Sequence, residues 1–431
     1  MNSLWLENTQ LKKYPTLRGE KRTQVLIIGG GLCGILCARE LKSRGVDCIV
    51  LEANRICAGT TGNSTAKITS QHGLIYNKIT QKYGEEKARL YLEANEEAVK
   101  TYRRMCTEIE CSFENKSAYV YSTDNRKKLE DECAVLNKIG FNCDIADTVP
   151  LPVKTVGALK FENQAQFDVL RFVSGILRSI EIYENTRVTD FVSPDTVITK
   201  NGRIKAEKII VATHFPFIDS HGFFFAKMHQ HRSYVCALEG AQNVDGMYVD
   251  ESDNGFSFRN QGELLLLGGG GHKTGKQGGA WREIESFAQE VYPHSQVKYR
   301  WATQDCMTLD SIAYIGRYSK RTNNLYVATG FNKWGMTTSM VASKILADAV
   351  CEKENPYSEL YAPSRRILHT QLFVNGLTTA QGLLLPTTKR CSHLGCGLKW
   401  NRNEHTWDCQ CHGSRFDGDG KVLDGPAVKD I

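Results

Sequence analysis

Short apolar runs alternate with amphipathic stretches along most of this chain. The apolar runs predict buried strands, at 25–28, 208–213 and 325–329, and strand-like segments with turns cover 232–304. Helical periodicity predicts helices near 85–110, 281–291 and 336–352. Such alternation of strands and helices is typical of an α/β fold.

The same pattern indicates where the chain divides. The polar segment 354–366 contains two prolines and predicts a linker between a large unit, 23–353, and a small C-terminal unit, 367–431. Residues 1–22 are polar and charged, and we interpret them as an N-terminal extension.

Composition narrows the class of protein. A chain of 431 residues with 41% apolar and 24% charged residues is long enough for two or three globular domains. The net charge of +6 is spread along the chain, so a nucleic-acid partner is not expected. No run approaches the roughly 18 apolar residues of a membrane span, and the N-terminus lacks a secretory pattern, which predicts a cytoplasmic protein without a membrane span.

Cysteine positions agree with a reducing compartment. Eleven of the fifteen cysteines are scattered without framework spacing: Cys33, Cys37, Cys48, Cys57, Cys106, Cys111, Cys133, Cys143, Cys236, Cys306 and Cys351. We interpret them as reduced thiols, mostly in cores. The other four lie within twenty-one residues near the C-terminus, which indicates a metal site.

The first candidate site is a glycine motif near the N-terminus. Gly29, Gly31 and Gly34 form GxGxxG directly after an apolar strand and before a helix, and Glu52 ends the next strand. The glycines permit a tight turn and a close approach to a pyrophosphate, and the helix N-terminus offers free N–H groups. The acid can accept hydrogen bonds from ribose hydroxyls, so the motif predicts a dinucleotide site.

Three further segments point to FAD rather than NAD. The loop AGTTGNSTAKIT (58–69), the strand IIVATHF (209–215) and the segment LYVATGFNKWGM (325–336) resemble the FAD-dependent oxidoreductases of the D-amino-acid oxidase family. That resemblance implies a Rossmann-like FAD-binding domain (about 23–75, 150–215 and 305–353) with an interleaved antiparallel-sheet substrate domain (about 76–149 and 216–304). It places these residues near FAD: Gly29, Gly31, Gly34, Glu52, Thr61, Lys67, Val188, Gly330 and Met336.

The resemblance also implies details of this site. Asn63 occupies the position where some relatives carry a histidine that tethers FAD, so we expect non-covalent binding. Lys67 and Lys333 are candidate catalytic residues, because a positive charge near the flavin stabilises the anionic reduced ring; solvated lysines are the alternative. A second glycine stretch, 264–275, lacks the final glycine of the motif and an apolar helix after it, so we predict a turn at the end of a buried strand there rather than an NAD(P)H site.

The second candidate site is the C-terminal cysteine cluster. Cys391 and His393 are separated by one residue, and Cys409 and His412 follow after fifteen more with a spacing of two residues. Two cysteines and two histidines could bind zinc, although this spacing is a poor match to zinc fingers. A decayed, metal-free domain is the other alternative.

This segment resembles the Rieske [2Fe–2S] motif in both loops, CSHLGC and CQCHGS, which implies a small all-β Rieske domain. The resemblance assigns Cys391 and Cys409 to one iron and His393 and His412 to the other. It also implies a disulfide between Cys396 and Cys411. Ser414 can donate to a cluster sulfur, whereas Phe416 replaces the tyrosine often present in respiratory Rieske proteins, so we predict a potential below that type.

Together the two sites predict an enzyme. The joined resemblances imply an FAD-dependent oxidoreductase, an amine or amino-acid dehydrogenase or oxidase, that relays electrons singly through the cluster to a one-electron acceptor such as a ferredoxin or quinone. Arg259 could clamp a substrate carboxylate, and Tyr234, His231, Gln304 and Asp305 could line the cavity or only pack. An electron-transfer protein without a small-molecule substrate, or an oxidase whose cluster is structural, remains an alternative.

Overall fold

The structure is a computed structural model that describes residues 2–252, 255–365, 383–384, 387 and 389–431. In chain order its strands are β1 (Gly19–Ile28), β2 (Cys48–Leu51), β3 (Lys67–Ile68), β4 (Glu114–Ser122), β5 (Asp144–Ala146), β6 (Gly157–Gln166), β7 (Glu181–Tyr183), β8 (Val188–Ser193), β9 (Thr196–Thr199), β10 (Gly202–Val211), β11 (Met228–Glu239), β12 (Met247–Asp250), β13 (Ser257–Gln261), β14 (Leu264–Lys273), β15 (Gln296–Thr308), β16 (Tyr314–Arg317), β17 (Leu325–Thr329), β18 (Leu398–Asn401), β19 (Thr406–Cys409), β20 (Arg415–Phe416) and β21 (Val422–Asp424).

The described helices are α1 (Leu4–Asn8), α2 (Leu32–Ser43), α3 (Tyr76–Tyr83), α4 (Glu85–Cys106), α5 (Arg126–Lys138), α6 (Val169–Ile176), α7 (Phe224–Lys227), α8 (Ala280–Val291), α9 (Gly335–Val350) and α10 (Ser358–Tyr361). None of these described helices combines the length with the apolar character that a membrane span requires.

The first sheet is built around parallel strands. Its order is β16-β17-β10-β1-β2-β7; β16 joins antiparallel at one edge, and β9 pairs with β10 and with β8. Strand β1 is fully buried from Val25 to Ile28, and helices α2 and α9 pack against one another over this sheet. The predicted Rossmann-like architecture is confirmed, and the carboxyl ends of β1, β2, β10 and β17 meet at one edge.

The second sheet is mostly antiparallel and is assembled from separate parts of the chain. Its order is β15-β11-β14-β13-β12-β4-β6-β3 with β5 on β6, and β12 with β4 is the parallel pair. This confirms the interleaved second domain. Strand β6 belongs to this sheet, although the predicted division assigned residues 150–215 to the cofactor-binding part, and β15 continues in it to Thr308.

Two segments differ from the sequence-based predictions. The predicted turn in 264–275 lies later than the four glycines, because β14 runs through them as a strand to Lys273 and the turn follows at Thr274 and Gly275. Gly268 and Gly270 leave no space for a Cβ beside Ser257 and Ala280, so the glycines allow close packing of neighbouring segments. The N-terminal extension is not detached: Trp5 of α1 is fully buried, and β1 begins at Gly19.

The C-terminal part is a small antiparallel sheet in the order β18-β19-β20-β21. Its core contains Leu398, Phe416 and Val422 together with four buried cysteines. The predicted all-β character is confirmed for this region. Residues 366–382, in which the predicted linker ends and the predicted domain begins, lie outside the described residues.

Candidate cofactor and cluster sites

A cavity of about 710 Å³ opens at the carboxyl ends of the parallel strands. Its walls are the turn after β1, the loop 53–67, the segment 329–336 and the facing strands β11 and β15. Residues 423–428 of the C-terminal sheet region also line it. One cavity therefore reaches from the glycine motif to the C-terminal sheet region.

The glycine turn has the shape that a dinucleotide requires. Gly29 has φ +114°, and a Cβ there would overlap Ala212 O; a Cβ on Gly34 would overlap Gly29 O. Helix α2 begins at Gly31 without a side-chain cap of its own, although Leu32 N donates to Thr61 Oγ1 at 3.0 Å. The helix N-terminus and the bare backbone fit a pyrophosphate.

Glu52 stands at the end of β2, as the motif predicts. Its carboxylate accepts hydrogen bonds from Gly30 N and Asn54 N, both at 2.8 Å, and burial raises its pKa. These two bonds fix the carboxylate at the cavity wall, where its remaining lone pairs can accept from ribose hydroxyls.

Nearly all the predicted FAD residues lie around the cavity. Its lining includes Gly29, Gly31, Glu52, Thr61, Lys67, Val188, Gly330 and Met336. Gly34 lies behind the turn, where it permits packing of α2 on β1. Asn63 also lines the cavity, and its side-chain amide donates to Ala58 O and Gly59 O. These two hydrogen bonds hold the loop closed.

The two candidate lysines differ in environment. Lys67 is half-buried at the start of β3, and burial, with the charge of Arg259 second, lowers its pKa to about 7. Lys333 is exposed and has φ +72° in the loop that follows β17. Both side chains line the cavity, which supports a role at a bound ring.

Arg259 does not take the position expected of a substrate clamp. It is fully buried, it is absent from the cavity lining, and its guanidinium donates to Thr65 O and Ala66 O at 2.8 and 3.1 Å. The ring of Trp5 lies 5.6 Å from it. This geometry corrects the prediction: Arg259 anchors the loop that carries Lys67.

The other candidates lie on the paired strands β11 and β15. Tyr234 lines the cavity and donates to Glu404 Oε1 at 2.9 Å, so it faces the C-terminal region. His231 is half-buried outside the lining, and its pKa is lowered to about 3, first by burial and then by Lys333. Asp305 and Gln304 both line the cavity and are buried.

The cysteine-rich segment forms two facing loops. Gly395 N donates to Cys391 O and Gly413 N donates to Cys409 O, both at 2.9 Å, and Cys391 N donates to Cys396 O at 2.9 Å. These bonds fold each loop into a tight turn that turns its ligand side chains inward.

The predicted ligands meet between these loops. The Cys391 and Cys409 thiols hydrogen-bond to one another, and the ring centroids of His393 and His412 are 5.0 Å apart. Nδ1 of His393 is buried without a hydrogen-bond partner among the described residues. Two thiols, two close imidazoles and a bare ring nitrogen are the donor set that a [2Fe–2S] cluster of the Rieske type needs. The Ser414 hydroxyl bonds to Cys391, as the predicted tuning requires.

The predicted disulfide is not formed in the structure. Cys396 and Cys411 are thiols in hydrogen-bonding contact, and with Cys409 their sulfur atoms lie within 4.8 Å of one another. Three clustered thiols could also bind a metal ion. Cys409 is a neighbour both of Cys391 and of the pair Cys396 and Cys411. A disulfide between Cys396 and Cys411 stays a prediction, which the proximity of their sulfur atoms permits.

Two glutamines connect the cavity to the second loop. Gln230 Nε2 donates to His412 O and Gln304 Nε2 donates to Gly413 O, at 2.8 and 2.9 Å. Thr60 of the cavity loop donates to Gln304 O at 3.3 Å. A Cβ on Gly413 would overlap the Gln230 side chain, so the second loop lies directly against that glutamine. No local motif marks Gln230, whose partner lies 182 residues away.

A buried ionic network joins the two regions. Glu404 pairs with Arg232 of β11 and with Arg415 of β20, and Arg415 also pairs with Asp408 and Asp424 at 3.2 and 2.9 Å. The side chains of the two arginines are only 4% and 6% exposed. This network, which the sequence analysis did not find, fixes the C-terminal sheet against the second sheet.

Comparisons with known proteins agree with this geometry. Residues 24–349 match the family described as FAD dependent oxidoreductase, and residues 354–431 match the Rieske [2Fe-2S] domain. The YhfW protein of Bacillus subtilis (strain 168), which its name describes as a Rieske 2Fe-2S iron-sulfur protein, is 35% identical over 490 aligned positions, 99% of this chain and 96% of that protein.

Two other similar proteins align with most of this chain. Gamma-glutamylputrescine oxidoreductase of Escherichia coli (strain K12) is 23% identical over 374 residues, which cover 78% of this chain and 85% of that protein. The crystal structure of glycine oxidase from Geobacillus kaustophilus matches with a TM-score of 0.67 and 17% identity, over 81% of this chain and all of that one. The similarity to glycine oxidase is a similarity of fold.

Proposed function

The chain belongs to the family of FAD-dependent oxidoreductases and carries a C-terminal Rieske [2Fe–2S] domain, and on this premise we propose that it oxidises a small amine or amino acid and passes the electrons singly to an external acceptor. FAD and a [2Fe–2S] cluster are its cofactors, and it is an oxidoreductase. Bound FAD supplies a hydride acceptor and the cluster supplies a one-electron carrier.

One observation carries the relay. The Gln304 side chain donates to Gly413 O beside the proposed cluster ligand His412, while the Gln304 backbone accepts from Thr60 of the cavity loop. The two sites are therefore linked through a single residue. Such a short contact path supports electron transfer within the chain rather than two independent cofactors.

We assign the cofactor-holding roles as the motifs predict. The FAD pyrophosphate would lie at Gly29, Gly31 and the start of α2, with Glu52 at the ribose. Thr61, Lys67, Val188, Gly330 and Met336 would line the rest of the FAD site, and Cys391, His393, Cys409 and His412 would hold the cluster. The three-thiol alternative is less favoured, because the Rieske match includes both histidines.

The cavity supports binding of a cationic or zwitterionic substrate. Asp305 is buried in the wall beside Ser233 (3.4 Å), and burial raises its pKa, although the charge of Lys333 opposes this. A carboxylate there can hold a substrate ammonium group, and Lys333 can orient a carboxylate. The similar proteins glycine oxidase and gamma-glutamylputrescine oxidoreductase favour the same substrate class by their names.

Location and acceptor complete the proposal. The eleven cysteines outside the C-terminal region are reduced thiols in the structure, which favours a reducing compartment, so we propose the cytoplasm. There a ferredoxin or a quinone would accept the electrons. Neither a nucleic acid nor a membrane span forms part of the proposal.

The test is anaerobic addition of candidate amines and amino acids to the purified protein. We expect flavin bleaching followed by reduction of the cluster, seen as an anisotropic EPR signal. The variant His412→Ala should keep FAD and substrate-driven bleaching, lose the EPR signal and slow flavin reoxidation by a one-electron acceptor. His405→Ala, an exposed histidine between the loops, is the matched control and should behave as the wild type.

The other outcomes separate the alternatives. If no amine bleaches the flavin but a reduced ferredoxin rapidly reduces the protein, the chain is an electron-transfer protein without a small-molecule substrate. If His412→Ala produces peroxide and turns over as fast as the wild type, the cluster is structural and the relay is wrong.

A further inference from the structure

Both imidazoles of the cluster site face the oxidoreductase domain instead of solvent. The His393 side chain is 4% exposed and His412 is buried. The covering surface is the segment 216–227, between β10 and β11, which contributes Asp219 and Phe225. The ring of Phe225 meets His412 edge-on, with centroids 5.6 Å apart.

Asp219 makes the closest polar approach to His393. Its Oδ2 lies 2.7 Å from Nε2 of that imidazole, a close contact whose angle is not yet that of an aligned hydrogen bond. The Asp219 side chain is 31% exposed, so it sits at the rim of the interface. Tyr318 holds the segment in place, because its hydroxyl donates to Ile218 O at 2.9 Å.

The two nitrogens of His393 have different surroundings. Nδ1 is buried between the loops without a hydrogen-bond partner among the described residues, and Nε2 is the nitrogen beside Asp219. An imidazole that binds iron through one nitrogen carries N–H on the other, and its partner fixes the ring orientation and the basicity of the ligand.

We propose that Asp219 is a positioning residue for the cluster: it accepts the Nε2–H of His393, orients Nδ1 toward the iron and lowers the reduction potential. The proposal rests on the function above in one respect, the assignment of His393 as a ligand. A carboxylate beside the ligand stabilises the more positive, oxidised state of the cluster, so the oxidoreductase domain contributes directly to the potential.

The contact between Asp219 and His393 also makes the reduction potential of the cluster depend on the docking of the two domains. Asp219 belongs to the oxidoreductase domain and His393 to the Rieske domain, so the lowered potential exists only while the two are in contact. Asp219 and, with opposite sign, Lys273 at the end of β14 are the charged side chains that act on His412.

The experiment is an EPR-monitored redox titration of the full-length protein with its cluster loaded. In Asp219→Asn, which keeps the size and removes the charge, we expect the cluster equilibrium to shift toward the reduced form by about tenfold, which is about 59 mV for a one-electron couple. Glu207→Gln, an exposed carboxylate on β10, controls for the loss of one charge and should leave the potential unchanged.

Two further variants keep the test decisive. Asp219→Glu should recover part of the shift, because a carboxylate is restored; if Asp219→Asn loads too little cluster, Asp219→Ser removes the charge in its place. A potential equal to that of the wild type in the charge-free variant overturns the proposal while leaving the proposed function intact. A wild-type protein that takes up FAD but never a cluster overturns both.

Discussion

A half-buried lysine at the cavity wall makes the folded chain sensitive to pH. Burial lowers the pKa of Lys67 to about 7, whereas in the unfolded chain it titrates near its ordinary value of 10.5. Between these values the unfolded state binds a proton that the folded state lacks, so stability rises with pH across this window. The charge that Lys67 offers to a bound flavin is correspondingly present below about pH 7 and lost above it.

We therefore predict that Lys67→Met stabilises the flavin-free protein at pH 6.5 and removes a slope of up to about 1 kcal/mol per pH unit between pH 7 and 9.5. Urea unfolding at several pH values measures both effects. Lys78→Met, an exposed lysine on α3, is the control and should leave the slope in place. An unchanged slope in Lys67→Met would show that the lysine stays protonated through this range.

Where spacing carries the chemistry, local motifs identified residues that lie together in the structure, and their cofactor-binding roles stay predictions. The glycines of the turn after β1 and the two Cys-x-His and Cys-x-x-His loops each lie within one short segment, so their neighbours along the chain already define the site. Asp219 and Gln230 could not be found in this way, since each meets its partner only after the C-terminal sheet docks. Arg259 was misassigned because a buried arginine that binds backbone carbonyls has the same sequence pattern as a substrate clamp.

At the level of elements, a side chain of helix α5 caps the N-terminus of helix α3. Helix α3 has no side-chain cap at Ile75; instead Glu132 of α5 accepts from Tyr76 N and Asn77 N at 2.7 and 2.8 Å. The carboxylate is fully buried, and burial raises its pKa to about 7. Between about pH 4.5 and 7 the folded state binds more protons than the unfolded state, so this group makes stability fall as pH rises through that window.

Glu132→Ala should leave two buried N–H groups without an acceptor and lower the free energy of unfolding by about 2–4 kcal/mol. Glu132→Gln keeps an acceptor but cannot ionise, so it should lose less stability and flatten the pH dependence between pH 4.5 and 7. Chemical denaturation at pH 5 and pH 8 measures both. Glu130→Ala, on the exposed face of α5, should cost less than about 0.5 kcal/mol; an equal loss in both alanine variants would contradict the capping role.

The elements themselves followed from hydrophobic period, with one instructive failure. Strand β17 and helix α9 begin and end within two residues of the predicted ranges. The glycines of β14 were taken for a turn because glycine has the same local preference in a turn and in a crowded strand. Only the neighbours decide, and here Ser257 and Ala280 occupy the space of a side chain.

For the whole molecule, the contact between the Rieske domain and the second sheet decides how the two cofactor sites work together. The sequence predicted two domains and their cofactors, but it did not predict their relative position, because the contacts join residues more than a hundred positions apart. Gly275 lies so close to the Gln410 backbone, and Gly413 so close to the Gln230 side chain, that neither glycine position has room for a Cβ. This packing favours a docked Rieske domain over one that swings between partners.

Glu404 is the residue on which that docking depends most. It pairs with Arg232 and Arg415 and accepts from Tyr234, all in the buried interface. Glu404→Ala should leave two buried guanidinium groups without their shared acceptor, at a cost of about 3–5 kcal/mol. Because the loss lies between the domains, we expect calorimetry to show two unfolding transitions in place of one, and flavin-to-cluster electron transfer to slow after a rapid substrate pulse.

A double substitution separates docking from charge. Replacing the pair with apolar residues, Arg232→Met with Glu404→Leu, removes one buried charge of each sign and should recover much of the stability lost in Glu404→Ala. Burial also shields the pair from ions, so the effect of Glu404→Ala should be nearly the same at 0.05 and 0.5 M salt, whereas an exposed pair would weaken. If Glu404→Ala still melts in one transition and transfers electrons at the wild-type rate, close backbone packing alone holds the domains together.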